Sequence, residues 1–151
     1  MKVQIKKLYP DAQLPTYGSA EAACLDLYAY IPHAEYRDAV QVAYSLDRAV
    51  IGTGISVAVP EGYVMEILPR SGLAAKQGLT VLNTPGQVDP DYRGEVKVIL
   101  QNNDKKYPAW IRHGERIAQC RITPVPRVEW VLTNELGETE RGSGGLGSTG
   151  V

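Results

Sequence analysis

Short runs of Val, Ile, Leu and Tyr, each stopped by turn-forming residues, constrain this chain more than any other feature. The runs are Val3–Lys7, Cys24–Ile31, Ala39–Leu46, Val50–Val59, Tyr63–Leu68, Leu79–Asn83, Glu95–Gln101, Arg116–Val125 and Arg127–Leu132. Several alternate with the strand period of two: Val96, Val98 and Leu100 share one face, Lys97 and Ile99 the other. Fifteen glycines and ten prolines among 151 residues supply the turns between them. Many short strands so punctuated predict an all-β sandwich, jelly roll or barrel. Pro124 and Pro126 mark edges or crossovers, because proline donates nothing to a ladder. One segment, Ser71 to Gly78, instead has an N-cap serine, helix-forming alanines, a late lysine and a terminal glycine, and predicts a helix of two turns at most.

A chain of 151 residues is one ordinary domain, and 44% hydrophobic with 22% charged residues is globular composition. No repeat or internal linker divides it. Sixteen Lys and Arg against seventeen Asp and Glu leave a formal charge of -1, which argues against nucleic acid or an anionic membrane as a partner. Cys24 and Cys120 lack the spacing of a disulfide framework or a zinc site. The N-terminus shows no secretory signal, and no apolar run is long enough for a bilayer, so a cytoplasmic, reducing compartment is expected.

From residue 138 to residue 151 the chain becomes rich in glycine and hydroxyl residues. Such a tail is mobile unless something orders it, and either a flexible end or a segment closing over a ligand fits it. Backbone N–H groups, Ser and Thr hydroxyls and the Arg141 guanidinium suit a phosphate.

Pro69-Arg70-Ser71-Gly72-Leu73 stands where a strand meets the short helix, as either an anion site or a simple cap beside a solvated arginine. Asn83 to Gly94 reads as a long, turn-rich connection between strands, with backbone that could meet a planar ligand and Tyr92 to pack on a ring or sugar. Asp89 and Asp91 would face one way in an extended segment, as a base or as turn formers. Asp26 lies in an otherwise apolar strand and needs a partner if buried. Gly114 to Gln119 opens a strand with ordinary hairpin chemistry. His33 and His113 are isolated surface residues, and both cysteines read as small packing groups.

Taken in order, Ala23–Leu27, Pro69–Leu73, Asn83–Gly94, Gly114–Gln119 and Arg141–Gly150 resemble the five motifs of the trimeric deoxyuridine triphosphatases, the dUTPases. The resemblance implies a distorted jelly-roll β-barrel over residues 1–137, a glycine-rich C-terminal arm over residues 138–151, and a homotrimer with shared active sites. It also implies Mg2+-assisted hydrolysis of dUTP to dUMP and diphosphate, limiting uracil in DNA and supplying dUMP. Asn83 with Gly86, Gln87, Val88 and the strand near Lys97 would read the uracil edge. Tyr92 would pack on the deoxyribose and exclude a 2′-hydroxyl. Asp89 would be the catalytic base that orients and deprotonates water. Arg70, Ser71, Gly72 and Gln119 would hold the phosphate chain, with Asp26 one step removed in the water and metal network. Arg141, Ser148 and Thr149 would close on the γ-phosphate from another subunit, with Gly147 also binding substrate and Leu146 over the base. The Mg2+ would be chelated mainly by the triphosphate and water, with no direct protein ligand.

Three positions depart from the family pattern. Cys24 replaces a glycine, Leu146 replaces the aromatic residue that usually covers the uracil, and the stretch from Ile31 to Ser45 is long. Tyr30, Tyr36 and Tyr44 in or beside that stretch cover a surface or serve a protein partner. Two other readings remain at this level: a dCTP deaminase or bifunctional deaminase–diphosphatase of the same fold, and a non-catalytic nucleotide-binding trimer.

Overall fold

The structure is a computed structural model that describes residues 1–32, 39–42 and 46–145. His33, Tyr36, Tyr44, Leu146, Gly147, Ser148 and Thr149 lie outside the described residues. Among the described residues, twelve strands and one short helix form a distorted jelly roll. In chain order they are β1 (Gln4–Lys7), β2 (Thr16–Tyr17), β3 (Leu25–Tyr28), β4 (Ala39–Val42), β5 (Arg48–Gly52), β6 (Ile55–Ala58) and β7 (Tyr63–Leu68). Then follow α1 (Ser71–Gln77), β8 (Leu79–Val81), β9 (Gly86–Val88), β10 (Lys97–Asn102), β11 (Ala109–Arg112) and β12 (Arg116–Pro124).

Every pairing among the described residues is antiparallel. The largest sheet runs β2-β3-β12-β7-β9; smaller sheets are β5-β10-β8, β11-β4 and β1-β6. Together they enclose one apolar core that includes Leu27, Ile55, Ile67, Leu79, Leu100 and Ile111. The alternation expected in β10 is met: Val96, Val98 and Leu100 are each 1% exposed, while Lys97 points outward. Asn102, at the end of β10, is fully buried and satisfied. Its amide donates to the Val42 carbonyl at 3.3 Å and the Tyr107 carbonyl at 2.9 Å, and accepts from the Asp104 N–H at 2.9 Å.

Several strand expectations are corrected. Val50–Val59 is not one strand; the chain turns at Thr53-Gly54, with Gly54 at φ +68°, so β5 and β6 join different sheets. The Thr53 hydroxyl donates to the Val96 carbonyl at 2.6 Å and the Gly54 N–H to Glu95 Oε1 at 2.8 Å, which fixes that corner. The turn-rich connection contains β9, whose Gly86 and Gln87 pair with Ile67 and Glu66 of β7. Strand β11 is additional to the expected runs. Arg127–Leu132 forms no strand: Trp130 is 90% and Leu132 99% exposed. It has strand composition but no neighbour among the described residues to complete a ladder.

The helix is seven residues long, as its composition predicts, and Gly78 ends it at φ 65°. Ser71 is not its cap. Arg70 occupies the N-cap position in extended conformation, and Ser71 begins the helix. His113 is likewise no isolated surface residue, for its Nδ1 lies 3.2 Å from both the Ile31 N–H nitrogen and carbonyl oxygen and its ring meets Tyr30 edge-on. Among the described residues, no helix is long and apolar enough to cross a membrane.

Candidate active site

Two groups of predicted site residues come together, each on its own part of the fold. The first is a cavity of about 240 Å³ lined by Asn83, Gly86, Gln87, Val88, Asp89, Tyr92 and Lys97 over an apolar floor that includes Ile67, Val81 and Val98. Pockets for drug-sized ligands run to ~300–1,000 Å³, so this one suits the head of a ligand and not the whole of a large one. Pairing of β9 with β7 sets Gly86 against Ile67, and the turn after β8, with the Thr84 N–H on the Val81 carbonyl, brings Gly86 beside Asn83. A Cβ at Gly86 would lie 3.3 Å from Asn83 Nδ2 and 3.4 Å from Ile67 Cβ, so glycine permits the close approach. The Thr84-Pro85 peptide within the turn is cis.

After β9 the chain turns immediately, with the Tyr92 N–H donating to the Asp89 carbonyl at 3.2 Å. Asp89 and Asp91 are therefore not on an extended segment, and Asp89 alone of the pair lines the cavity. Asp89 and Gln87 also line a second groove, of about 350 Å³, with Tyr63, Pro90, Val125 and Arg127. Asp89 thus borders both, and its carboxylate makes no side-chain hydrogen bond within the described residues. Tyr92 is held on the hairpin by its hydroxyl, which donates to the Glu95 carbonyl at 3.0 Å.

The second group lies where β3, β12 and the end of β7 run side by side. Gln119 pairs with Asp26 on one side and Leu68 on the other, and its Nε2 donates to the Pro69 carbonyl at 2.9 Å. Asp26 is 9% exposed, and its partners are two guanidinium groups. Arg70 Nε donates to Oδ1 at 2.9 Å and Arg116 Nη1 donates to Oδ2 at 3.0 Å. Arg70 Nη1 also reaches the Arg116 carbonyl at 3.2 Å. Ser71 and Gly72 follow Arg70 and are exposed. The Ser71 hydroxyl has no partner among the described residues, and a Cβ at Gly72 would meet nothing within 4 Å.

None of Asp26, Arg70, Ser71, Gly72 or Gln119 lines the cavity around Asn83 and Tyr92. Arg141 lies in an exposed turn closed on itself, its Nε donating to the Gly144 carbonyl at 2.8 Å. Among the described residues no group of three His, Cys, Asp or Glu side chains converges as a metal site. A larger apolar groove of about 520 Å³, lined in part by Ile5, Leu14, Leu25, Val57 and Met65, contains no predicted site residue. Arg116 is the member of the second group that the sequence reading did not single out.

A family model for dUTPase matches residues 10–150. The deoxyuridine 5'-triphosphate nucleotidohydrolase of Hydrogenobaculum sp. is 50% identical over 152 aligned positions, covering 100% of this chain and 99% of that protein. The protein of the same name from Nautilia profundicola is 47% identical over 150 positions, covering 99% of each. Among solved structures, a mutant Staphylococcus bacteriophage 80alpha dUTPase with dUpNHpp superposes with a TM-score of 0.85 at 26% identity, covering 99% of both chains. Another 80alpha dUTPase structure with the same compound gives 0.81 at 27% identity, also over 99% of each. With a family model spanning most of its length and full-length relatives at such identity, the chain belongs to the dUTPase family.

Proposed function

We propose that this protein hydrolyses dUTP to dUMP and diphosphate by water attack on the α-phosphate. The observation that carries the reading is the small cavity in which Asn83, the β9 backbone and Tyr92 surround a space for a base and sugar, with Asp89 on its wall. Backbone N–H and C=O groups near Gly86 and Val88, with Asn83, read the uracil edge. Tyr92 packs against the deoxyribose. Asp89 accepts a proton from the attacking water, and the lack of a side-chain hydrogen bond to it among the described residues suits a base that must meet substrate. Arg70, the Ser71 hydroxyl, Gly72 and Gln119 hold the phosphate chain and stabilise charge developing on it.

A magnesium ion would be carried mainly by the substrate, because Mg2+ commonly keeps waters and phosphate oxygens as ligands, with Asp26 one step removed in that network. When bound it neutralises charge on the triphosphate.

A single chain separates the nucleoside cavity from the Asp26–Arg70–Gln119 group, and this supports a site shared between chains of a homotrimer. The exposed apolar run around Trp130 and Leu132 supports self-association as well. The arm over residues 138–151, with Arg141, Leu146, Gly147, Ser148 and Thr149, closes the site from a neighbouring chain. This chemistry acts on the cytoplasmic nucleotide pool.

The direct test is diphosphate release from dUTP in the presence of Mg2+, with dTTP and dCTP as controls. Release from dUTP alone supports the reading; ammonia release from dCTP, or no turnover of any of the three, overturns it.

A further inference from the structure

We infer that Arg116 is a second guanidinium ligand of the polyphosphate, aimed by a bulge in β12 and spaced from Arg70 by Asp26. The inference rests on the triphosphate-hydrolase reading above and extends it to a residue that reading does not use.

The register carries the argument. In β12, Cys120 pairs with Leu25, Gln119 with Asp26 and Ala118 with Leu27, yet Arg116 pairs with Tyr28. Two steps along β12 thus match one step along β3, so β12 holds one extra residue. In a regular strand Arg116 would share the face of Ala118 and Cys120, which are 0% and 3% exposed. The extra residue lets Ile117 and Ala118 both turn inward, at 1% and 0% exposure, and sends Arg116 to the Asp26 side. Bulges recur where a fold must re-aim one side chain beside a site.

What it reaches is also informative. Asp26 has a side-chain exposure of 12%, and each oxygen takes a different arginine, so the trio has a net charge of one plus. One guanidinium would balance the charge of this nearly buried carboxylate; here it holds two, one on each oxygen. Arg116 spends Nη1 on Asp26, its side chain is 52% exposed, and its Nε and Nη2 have no partner among the described residues. Arg70 adds its own bond to the Arg116 carbonyl, so both cations are pinned to the same turn of chain. Two planar guanidinium groups held on one carboxylate suit phosphoryl oxygens, which each can meet with paired N–H donors.

The test is calorimetric titration of the full-length protein with inorganic diphosphate and Mg2+, and separately with deoxyuridine. Arg116→Gln is expected to weaken diphosphate binding about tenfold or more, since one charge-assisted contact is lost, and to leave deoxyuridine within about twofold. For dUTP, KM should rise more than kcat falls. The double variant Asp26→Asn/Arg116→Gln separates a ligand from a counter-charge: it should remain weak for diphosphate. Recovery of wild-type affinity in the double variant, or wild-type diphosphate binding by Arg116→Gln, overturns the inference. Should Arg116→Gln fail to fold, Arg116→Met serves, because it keeps the length of the stem and removes every donor; wild-type diphosphate affinity in that variant is equally fatal. A wild-type protein that binds diphosphate through Arg116 but releases none from dUTP would sink the proposed function and leave this inference standing.

Discussion

The Tyr92 ring stands directly over Gly94, close enough that any Cβ at Gly94 would collide with the phenol. The Tyr92 hydroxyl bond to the Glu95 carbonyl, 3.0 Å long, keeps the ring there. Gly94→Ala must therefore displace the ring from the cavity wall while leaving the buried core untouched. We expect kcat/KM for dUTP to fall about tenfold or more, with poorer discrimination against UTP. Tyr92→Phe, which loses only the hydrogen bond, should lose less. Steady-state kinetics on both nucleotides checks this, and an unchanged UTP/dUTP ratio in Gly94→Ala would remove Tyr92 from sugar recognition.

Asp89 makes no side-chain hydrogen bond within the described chain, so Asp89→Asn costs the fold little. Loss of a general base is expected to lower kcat by ~10²–10⁴-fold. Substrate binding should survive within a few-fold, since the amide keeps the shape. Single-turnover rates with a separate binding titration distinguish the two effects; near-normal kcat would move the base elsewhere.

Gly72 offers a test in which fold and function pull apart. It lies in the first turn of α1, and a methyl there meets nothing within 4 Å of its own chain. Gly72→Ala should leave the melting temperature unchanged or raise stability by about 0.5 kcal/mol, because alanine loses less backbone entropy. If the phosphate chain passes close to that backbone, kcat/KM drops about tenfold in a fully stable protein. Wild-type kinetics would show that nothing approaches Gly72 closely.

The Glu66–Arg121 pair sets an acid limb to stability. Arg121 Nε donates to Glu66 Oε2 at 2.7 Å directly across β7 and β12, and the Thr123 hydroxyl adds a bond at 3.1 Å. The Arg121 hydrogen bond, chiefly, holds the Glu66 carboxyl below its ordinary value of 4.5. A depressed folded pKa contributes stability that is complete above the unfolded value and is lost as pH falls through the folded one. The stability difference between wild type and Glu66→Gln should stay constant from about pH 7 to 5 and shrink below about 4.5. Urea unfolding across that range measures it, and a difference that grows on acidification would contradict the pairing.

Much of this architecture is written in local patterns. Tyr63–Leu68 reads as a strand and is one, the Val96, Val98, Leu100 face is the buried face of β10, and Gly78 ends the helix as its position suggests. What escapes is non-local. Thr53-Gly54 looks like part of a continuous apolar run, and only bonds to Val96 and Glu95 make it a corner. β9 is three residues long and exists because β7 lies beside it. Arg116 is hidden for a sharper reason: alternation counted back from Gln119 assigns it to the wrong face, and one extra residue reverses the count. Ser71 resembles a cap and instead begins the helix, leaving its hydroxyl available.

That surplus residue has a consequence for how the strand tolerates change. N-terminal to Ile117, β12 runs out of phase with its remainder, so length there carries information that side-chain identity does not. Adding a single residue to β3 between Leu27 and Tyr28 would make the ladder regular and swing a cation toward the interior, although every charged group of the cluster remained in the gene. Variants of this turn are therefore best compared by spacing first and by residue type second.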